Sequence, residues 1–279
     1  MKEFFEKLEK LDRRVIFIFV ATALILPLFL PLNIKFSTTP PVQSFYDAIE
    51  FLTPGSKVLL SVDYDPGSMP ELWPMHLAAV RQLCRKDIKI ISSQLWATGS
   101  PLAERAFNEI AVGEFNKKYG VDFVNLGFKE GREVVMVSMG NSIPQTFPTD
   151  YHGNKTKDLS IMKGVKNFSD LAIIVNISGG LPGTKEWILQ VQSRFHIKLI
   201  SGCTAVSAPE FYPYLQSGQL SGLLGGMKGA AEYEQLMGKP GLGTKGMDSQ
   251  SVAHIVIFFF ILVGNIAYFS LKGMKEESK

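Results

Sequence analysis

Two aspartates that could do chemistry follow the first strongly β-branched stretch of the sequence. Asp63 and Asp65 lie two residues apart after residues 58–62, where they could ligate a divalent cation or act as general acid and base. The same pattern fits a structural role, in which Asp65-Pro66-Gly67 makes a turn and Asp63 caps a nearby amide. We favour the structural interpretation and keep both residues as candidates.

A second candidate site is Ser178-Gly179-Gly180, which precedes a predicted helix. Backbone N–H groups at such a turn could bind an anion. The sequence has neither the G-x-x-x-x-G-K-[ST] nor the G-x-G-x-x-G spacing, and a tight turn alone accounts for the glycines. We therefore predict no nucleotide and no other cofactor.

Candidate nucleophiles and bases are few. No G-x-S-x-G is present, and His152, inside the irregular stretch 142–170, is the best placed of the four histidines to act as a base with Asp63, Asp65 or Ser178. No H-E-x-x-H or Cys–His cluster indicates a metal centre. Cys84 and Cys203 have the character of small buried residues, and the sequence does not decide whether they pair.

The elements that would position these side chains are short apolar runs alternating with helical segments. Each run is apolar nearly throughout, which is typical of strands covered on both faces, and the alternation predicts a parallel sheet. The expected fold is therefore α/β, with a doubly wound, mainly parallel sheet of about five or six strands. Residues 133–141 fit either a strand or a helix, and we favour a helix. The runs begin at Lys57, Ile88, Val121, Asp170 and Ile197, with a sixth at Leu220.

In such a sheet, ligands bind beyond the carboxyl ends of the strands. The polar and glycine residues at these ends form the predicted ligand-binding set. Its members are Asp63, Asp65, Gln94, Asn125, Asn176, Ser178, Gly179 and Gly180.

Two long apolar stretches flank this domain. Residues 15–32 and 252–271 carry no formal charge, and each is long enough to cross about 30 Å of hydrocarbon as a helix. The expected organisation is a cytoplasmic amphipathic segment, a first span, a spacer with a short helix, the α/β domain, a glycine-rich linker, a second span and a cytoplasmic tail. The boundaries are 1–14, 15–32, 33–56, 57–237, 238–251, 252–271 and 272–279.

The distribution of charge predicts the topology and excludes one class of partner. Basic residues concentrate before the first span and after the second, which places both termini in the cytoplasm and the domain outside it. Residues 36–251 contain 20 Lys or Arg and 20 Asp or Glu, so the domain is formally neutral and offers no electrostatic footprint for nucleic acid. The expected partner is the lipid bilayer.

Three functions fit these observations. The favoured one is a non-catalytic subunit of a homo-oligomeric membrane assembly, with contacts between copies made by close glycine packing and by an amide inside the second span. The second is an extracytoplasmic domain that binds or senses a small ligand, with residues 142–170 as a lid, and the third is a membrane-anchored hydrolase. The predicted contact residues are Gly222, Gly225, Gly226, Gly229 and Asn265.

Overall fold

The computed structural model describes residues 12–35 and 37–276. These residues fall into two compact units, Lys35–Thr244 and a second one made of the chain up to Ile34 and from Lys245 onward. The predicted amphipathic segment 1–14 lies outside the described residues except for its last three. The end of the predicted tail, residues 277–279, also lies outside them.

The Lys35–Thr244 unit is an α/β fold built on one sheet of six parallel strands. In spatial order the strands run β3-β2-β1-β4-β5-β6, so the direction of winding reverses between β1 and β4. This confirms the predicted α/β class and the parallel sheet. The strands are β1 Lys57–Asp63, β2 Lys89–Gln94, β3 Phe123–Phe128, β4 Ile173–Ser178, β5 Leu199–Cys203 and β6 Leu223–Gly225.

Helices follow most of the strands and precede the sheet. Residues 133–141, which fit both a strand and a helix by composition, form a helix. The helices are α1 Arg13–Phe29, α2 Pro40–Glu50, α3 Met69–Arg85, α4 Gly99–Ala106 with a π-helical continuation Phe107–Val112, α5 Glu133–Asn141, α6 (Thr184–Glu186, π-helical Trp187–Gln192 and Ser193–Phe195), α7 Ala208–Gln216, α8 Gly226–Leu236 and α9 Leu242–Glu276.

The strands are apolar nearly throughout because both faces of the sheet are covered. Along β1, Val58 and Leu60 belong to the cluster that packs beneath α2, α3, α4 and α8, whereas Leu59 belongs to the cluster on the other face. Alternate residues of a strand point to opposite faces, so a strand buried on both sides needs apolar residues at every position.

The second face is covered partly by the irregular stretch 142–170. It contains a short helix, Ile143–Thr146, and three 3-10 turns, as its turn-rich composition predicts. Its Ile161, Met162 and Phe168 are buried in the cluster on that face. The segment therefore covers this face of the sheet together with α5.

Two helix boundaries follow from the chain around them. The π-helical continuation of α4 ends at Val112, since the chain must turn back before β3. The expected linker 238–251 is helical from Leu242, because the Glu234 carboxylate accepts hydrogen bonds from the amides of Gly241, Gly243 and Thr244 and so satisfies the first turn of α9.

The other unit contains α1 and the part of α9 from Lys245 onward. Helix α9 is long and apolar enough to cross a membrane, with a mean hydropathy of 2.3 over its most apolar window, of which 11% is buried. Helix α1 has 17 residues, and no second helix among the described residues meets the same criterion of length and composition. The rings of Phe19 and Phe260 meet edge to face at 5.9 Å.

A buried carboxylate holds the chain that leaves α1. The side chain of Asp248, fully buried, accepts hydrogen bonds from the amides of Leu32, Asn33 and Ile34 at 2.9–3.1 Å. These three hydrogen bonds satisfy the backbone amides of residues 32–34, which lie in a stretch without regular secondary structure.

Candidate functional site

Asp63 ends β1, next to the point where the winding of the sheet reverses. Its side chain is fully buried. One carboxylate oxygen accepts from the amide of Leu95 at 2.6 Å, and the other contacts the Ser61 hydroxyl and the Asn176 amide. Asp63 thus caps an amide just beyond β2, which is the structural role that its sequence position allowed.

Burial controls the ionisation of this carboxyl. The loss of hydration raises the pKa of Asp63 to about 7, because it outweighs the opposing hydrogen bonds from the Ser61 hydroxyl and the Leu95 amide. Near neutral pH this group is therefore poised between its two protonation states. It has no exposed surface through which a solute could reach it.

A second polar cluster is centred on Asn176 in β4. Its carbonyl oxygen accepts from the hydroxyls of Ser178, Thr184 and Ser201 at 2.9–3.1 Å, and the hydroxyls of Thr184 and Ser201 lie 2.6 Å apart. All four side chains are buried. The hydroxyl of Ser178 also accepts from the Thr184 amide, so its bonding capacity is used inside the protein.

Side-chain carboxylates of the protein already accept hydrogen bonds from the backbone amides at which an anion could bind. Asp65 accepts from the Ser68 amide before α3, and Glu71 accepts from Ala205 before α7. At α6 the cap position is Gly183, whose amide donates to the side chain of Glu186 at 2.8 Å. Each turn is therefore closed by an internal negative charge.

A third cluster lies beyond β2 and β3. The Gln94 side chain bonds the hydroxyls of Ser92 and Ser100, and the Asn125 amide donates to one Glu104 oxygen at 3.2 Å. The other Glu104 oxygen lies 3.1 Å from Nε2 of His152.

The catalytic candidates are separated by this arrangement. Ser178 bonds within the β4 cluster, whereas His152 bonds Glu104 on the β3 side. Because β2 and β1 lie between β3 and β4, the strand axes are roughly 14 Å apart at the usual spacing. Asp65 is held in its own turn. The described contacts therefore assemble no nucleophile–base pair among these candidates.

The glycines after β4 are needed for close packing. A Cβ at Gly179 would come within 2.6 Å of the Ser68 hydroxyl oxygen, and one at Gly180 would lie 3.3 Å from the Trp96 ring. The Trp96 indole donates to the carbonyl of Pro182 at 3.0 Å. The loop and the indole together cover the strand ends at the reversal point.

A crevice lies farther along the same edge, beyond β2 and β3. This crevice, of about 440 Å³, is bounded by the turn after β2, the end of β3 and residues 146–151. Lys129, Phe147 and Tyr151 line it, and none of them was predicted as a site residue. The sequence signal that could have indicated them is the presence of aromatic residues in the irregular stretch 142–170.

A smaller crevice of about 250 Å³ lies beyond β4 and β5. Ser178 and Cys203 contribute to its floor, and Lys185 pairs with Glu210 at its rim at 2.8 Å. Cys203 and Cys84 are free and buried, and burial raises the pKa of each thiol to about 12. Within residues 12–35 and 37–276, no group of three or more His, Cys, Asp or Glu is placed to hold a metal ion.

The predicted contact glycines are used inside the Lys35–Thr244 unit. A Cβ at Gly222 would lie 2.5 Å from the backbone of Phe45, and one at Gly229 would lie 3.0 Å from the backbone of Leu224. Gly226 has a φ of +62°, and a Cβ at Gly225 would come within 2.8 Å of a neighbouring side chain. Their close approaches are therefore intramolecular, and contact between copies stays a prediction.

Comparison with known proteins adds little to this geometry. No protein-family model and no curated protein matches the chain. A solved structure of trehalose-6-phosphate synthase is similar to it over 89% of this chain and 49% of that one, with 8% identity and a TM-score of 0.31. The chain thus spans about half the length of that protein, and a likeness at this score carries no argument.

Proposed function

We propose that the chain is a membrane-anchored, non-catalytic subunit of a homo-oligomeric assembly. In this proposal α1 and α9 both cross the bilayer, both termini are cytoplasmic, and the Lys35–Thr244 unit lies on the extracytoplasmic side. The buried, mutually bonded polar residues at the strand ends support a non-catalytic role, since a catalytic group must reach its substrate.

The observation that carries the proposal is the position of Asn265. Ala253 and Ala267 of α9 are buried, whereas Asn265, about 200° around the helix from Ala267, is exposed among apolar side chains. Its amide forms no hydrogen bond with any described residue. In hydrocarbon an amide gains by bonding to another helix, and a second copy brings an identical amide to the same depth.

Light scattering on the detergent-solubilised full chain tests the assembly. We expect a defined oligomer, and Asn265→Leu should weaken association by roughly three- to tenfold, as expected for one interhelical hydrogen bond. Thr22→Val is the matched control, because the exposed Thr22 hydroxyl already donates to the Ile18 carbonyl at 2.8 Å within its own helix. A monomeric parent chain would refute the proposal.

Topology is tested separately by labelling Ser37→Cys with a membrane-impermeant thiol reagent in intact cells. Ser37 is exposed, and the parent chain is a silent background because both native thiols are buried with a raised pKa. We expect labelling from outside. Protection of the new cysteine until the cells are lysed would reverse the orientation.

Small-ligand binding is a second candidate function. It is favoured by the crevice of about 440 Å³, a volume typical of ligand sites, at the sheet edge where such folds bind ligands. Residues 146–151 of the stretch that the sequence suggested as a lid form one wall of it.

A further inference from the structure

We infer that the crevice beyond β2 and β3 binds a small molecule that joins a carboxylate to a planar apolar body. The inference rests on the second candidate function and is independent of membrane assembly. It assigns Lys129 as the group that recognises the carboxylate and Tyr151, at the opening, as the aromatic residue that contacts the planar body.

The charges that line the crevice decide the sign of the ligand. They are Lys129 and Asp150. Both oxygens of the buried Asp150 are engaged, by the Tyr119 hydroxyl, by the amides of His152 and Asn154, and by the Asn154 side chain. A carboxylate offers about four acceptor positions, so Asp150 has none left for a cationic ligand.

Lys129 is the opposite case. Its ammonium group forms no ion pair with any described residue and lies 5.9 Å from the centre of the Phe147 ring. Its backbone is fixed, because its amide donates to the carbonyl of Gln94 at the end of β2. An anion beside Lys129 would therefore meet a positive charge that no described carboxylate neutralises, next to the Phe147 ring.

The ring of Tyr151 fits a flat partner. Phe147 is buried behind Lys129, whereas Tyr151 is 46% exposed at the opening. The Tyr151 amide donates to the carbonyl of Asn125 in β3, and Gly127 beneath it has a φ of +86°. This anchoring fixes the backbone that carries the Tyr151 ring, which lowers the entropic cost of binding.

Ligand-observed NMR on the full chain in zwitterionic nanodiscs tests the inference, with benzoate as the anionic probe and benzamide as its neutral isostere. Empty nanodiscs supply the blank. Lys129→Met removes the charge and keeps an apolar stem, and Ala97→Phe places a ring in the crevice from an exposed position. Lys198→Met, at an exposed lysine before β5 on the opposite edge of the sheet, is the matched control.

We expect benzoate to bind the parent and Lys198→Met equally, Lys129→Met at least tenfold more weakly, and Ala97→Phe not at all. Unchanged melting temperatures would show that the variants fold. Equal binding of benzamide and benzoate, both abolished by Ala97→Phe, would overturn the assignment of a carboxylate while keeping a ligand site. No binding of either probe to the parent would overturn both, and neither result bears on the oligomeric state.

Discussion

The effect of the substitution Asp63→Asn on stability should become more favourable as pH rises. In the folded chain burial raises the pKa of Asp63 from its ordinary value of 3.8 to about 7. A carboxyl with a raised folded pKa contributes its full stability below pH 3.8 and loses it as pH rises through 7. At 1.36 kcal/mol for each pKa unit, the loss is about 4 kcal/mol.

A second buried group opposes this dependence in the parent chain. Burial lowers the pKa of His76 to about 3, so its contribution is present above pH 6.5 and is lost as pH falls toward 3. The two slopes have opposite signs between pH 4 and 6.5. The parent should therefore change little in stability over this window, whereas Asp63→Asn should be labile to acid.

The assay is denaturant unfolding of the full chain in detergent, followed by tryptophan fluorescence from pH 4 to 8. The quantity of interest is the difference in free energy of unfolding between Asp63→Asn and the parent, from which the His76 contribution cancels. We expect this difference to move in favour of the variant by about 4 kcal/mol across the range. A difference that stays constant within about 1 kcal/mol would show that Asp63 does not take up a proton on folding.

Three further predictions follow from single contacts. Asp248→Ala should raise the hydrogen-exchange rates of the amides of residues 32–34 at least tenfold, since each loses a charged acceptor worth about 1.5–3 kcal/mol, and Asp248→Asn should do so less. Neither native thiol should react with an aromatic disulfide reagent at pH 8 in the folded chain, and both should react fully after denaturation. Gly222→Ala should lower stability by about 1–3 kcal/mol in chemical denaturation, whereas Gly264→Ala, inside a helix and with no atom within 4 Å, should not lower it.

The sheet was predictable because its strands are buried on both faces. A short, continuously apolar run such as the one in β1 is typical of a strand whose two faces are both buried. The alternation of such runs with helices indicates parallel pairing. The helix at residues 133–141 was harder, since its valines favour a strand locally, and the need for a crossover between parallel strands decided it.

The site was less accessible to sequence reasoning. Polar residues could be placed at the carboxyl ends of the strands, but their exposure depends on contacts between distant parts of the chain. Trp96 reaches Pro182, 86 residues away, and helps to cover the reversal point. Likewise, nothing near Lys129 in the sequence indicates that Phe147 would lie beside it. Local sequence patterns predicted the edge of the sheet at which a ligand would bind. They did not predict that the reversal point is covered and that the crevice lies beyond β2 and β3.

The carboxylates that cap the strand-tip amides have a consequence for how this scaffold could change. In doubly wound proteins, backbone amides in these turns that have no partner within the protein can bind a phosphate group. Here Asp65, Glu71 and Glu186 are permanent, covalently attached counterions at those turns. For these turns to bind a phosphorylated metabolite, several of these acidic residues would have to be replaced by neutral ones together. Each acidic residue that remained would repel the phosphate group.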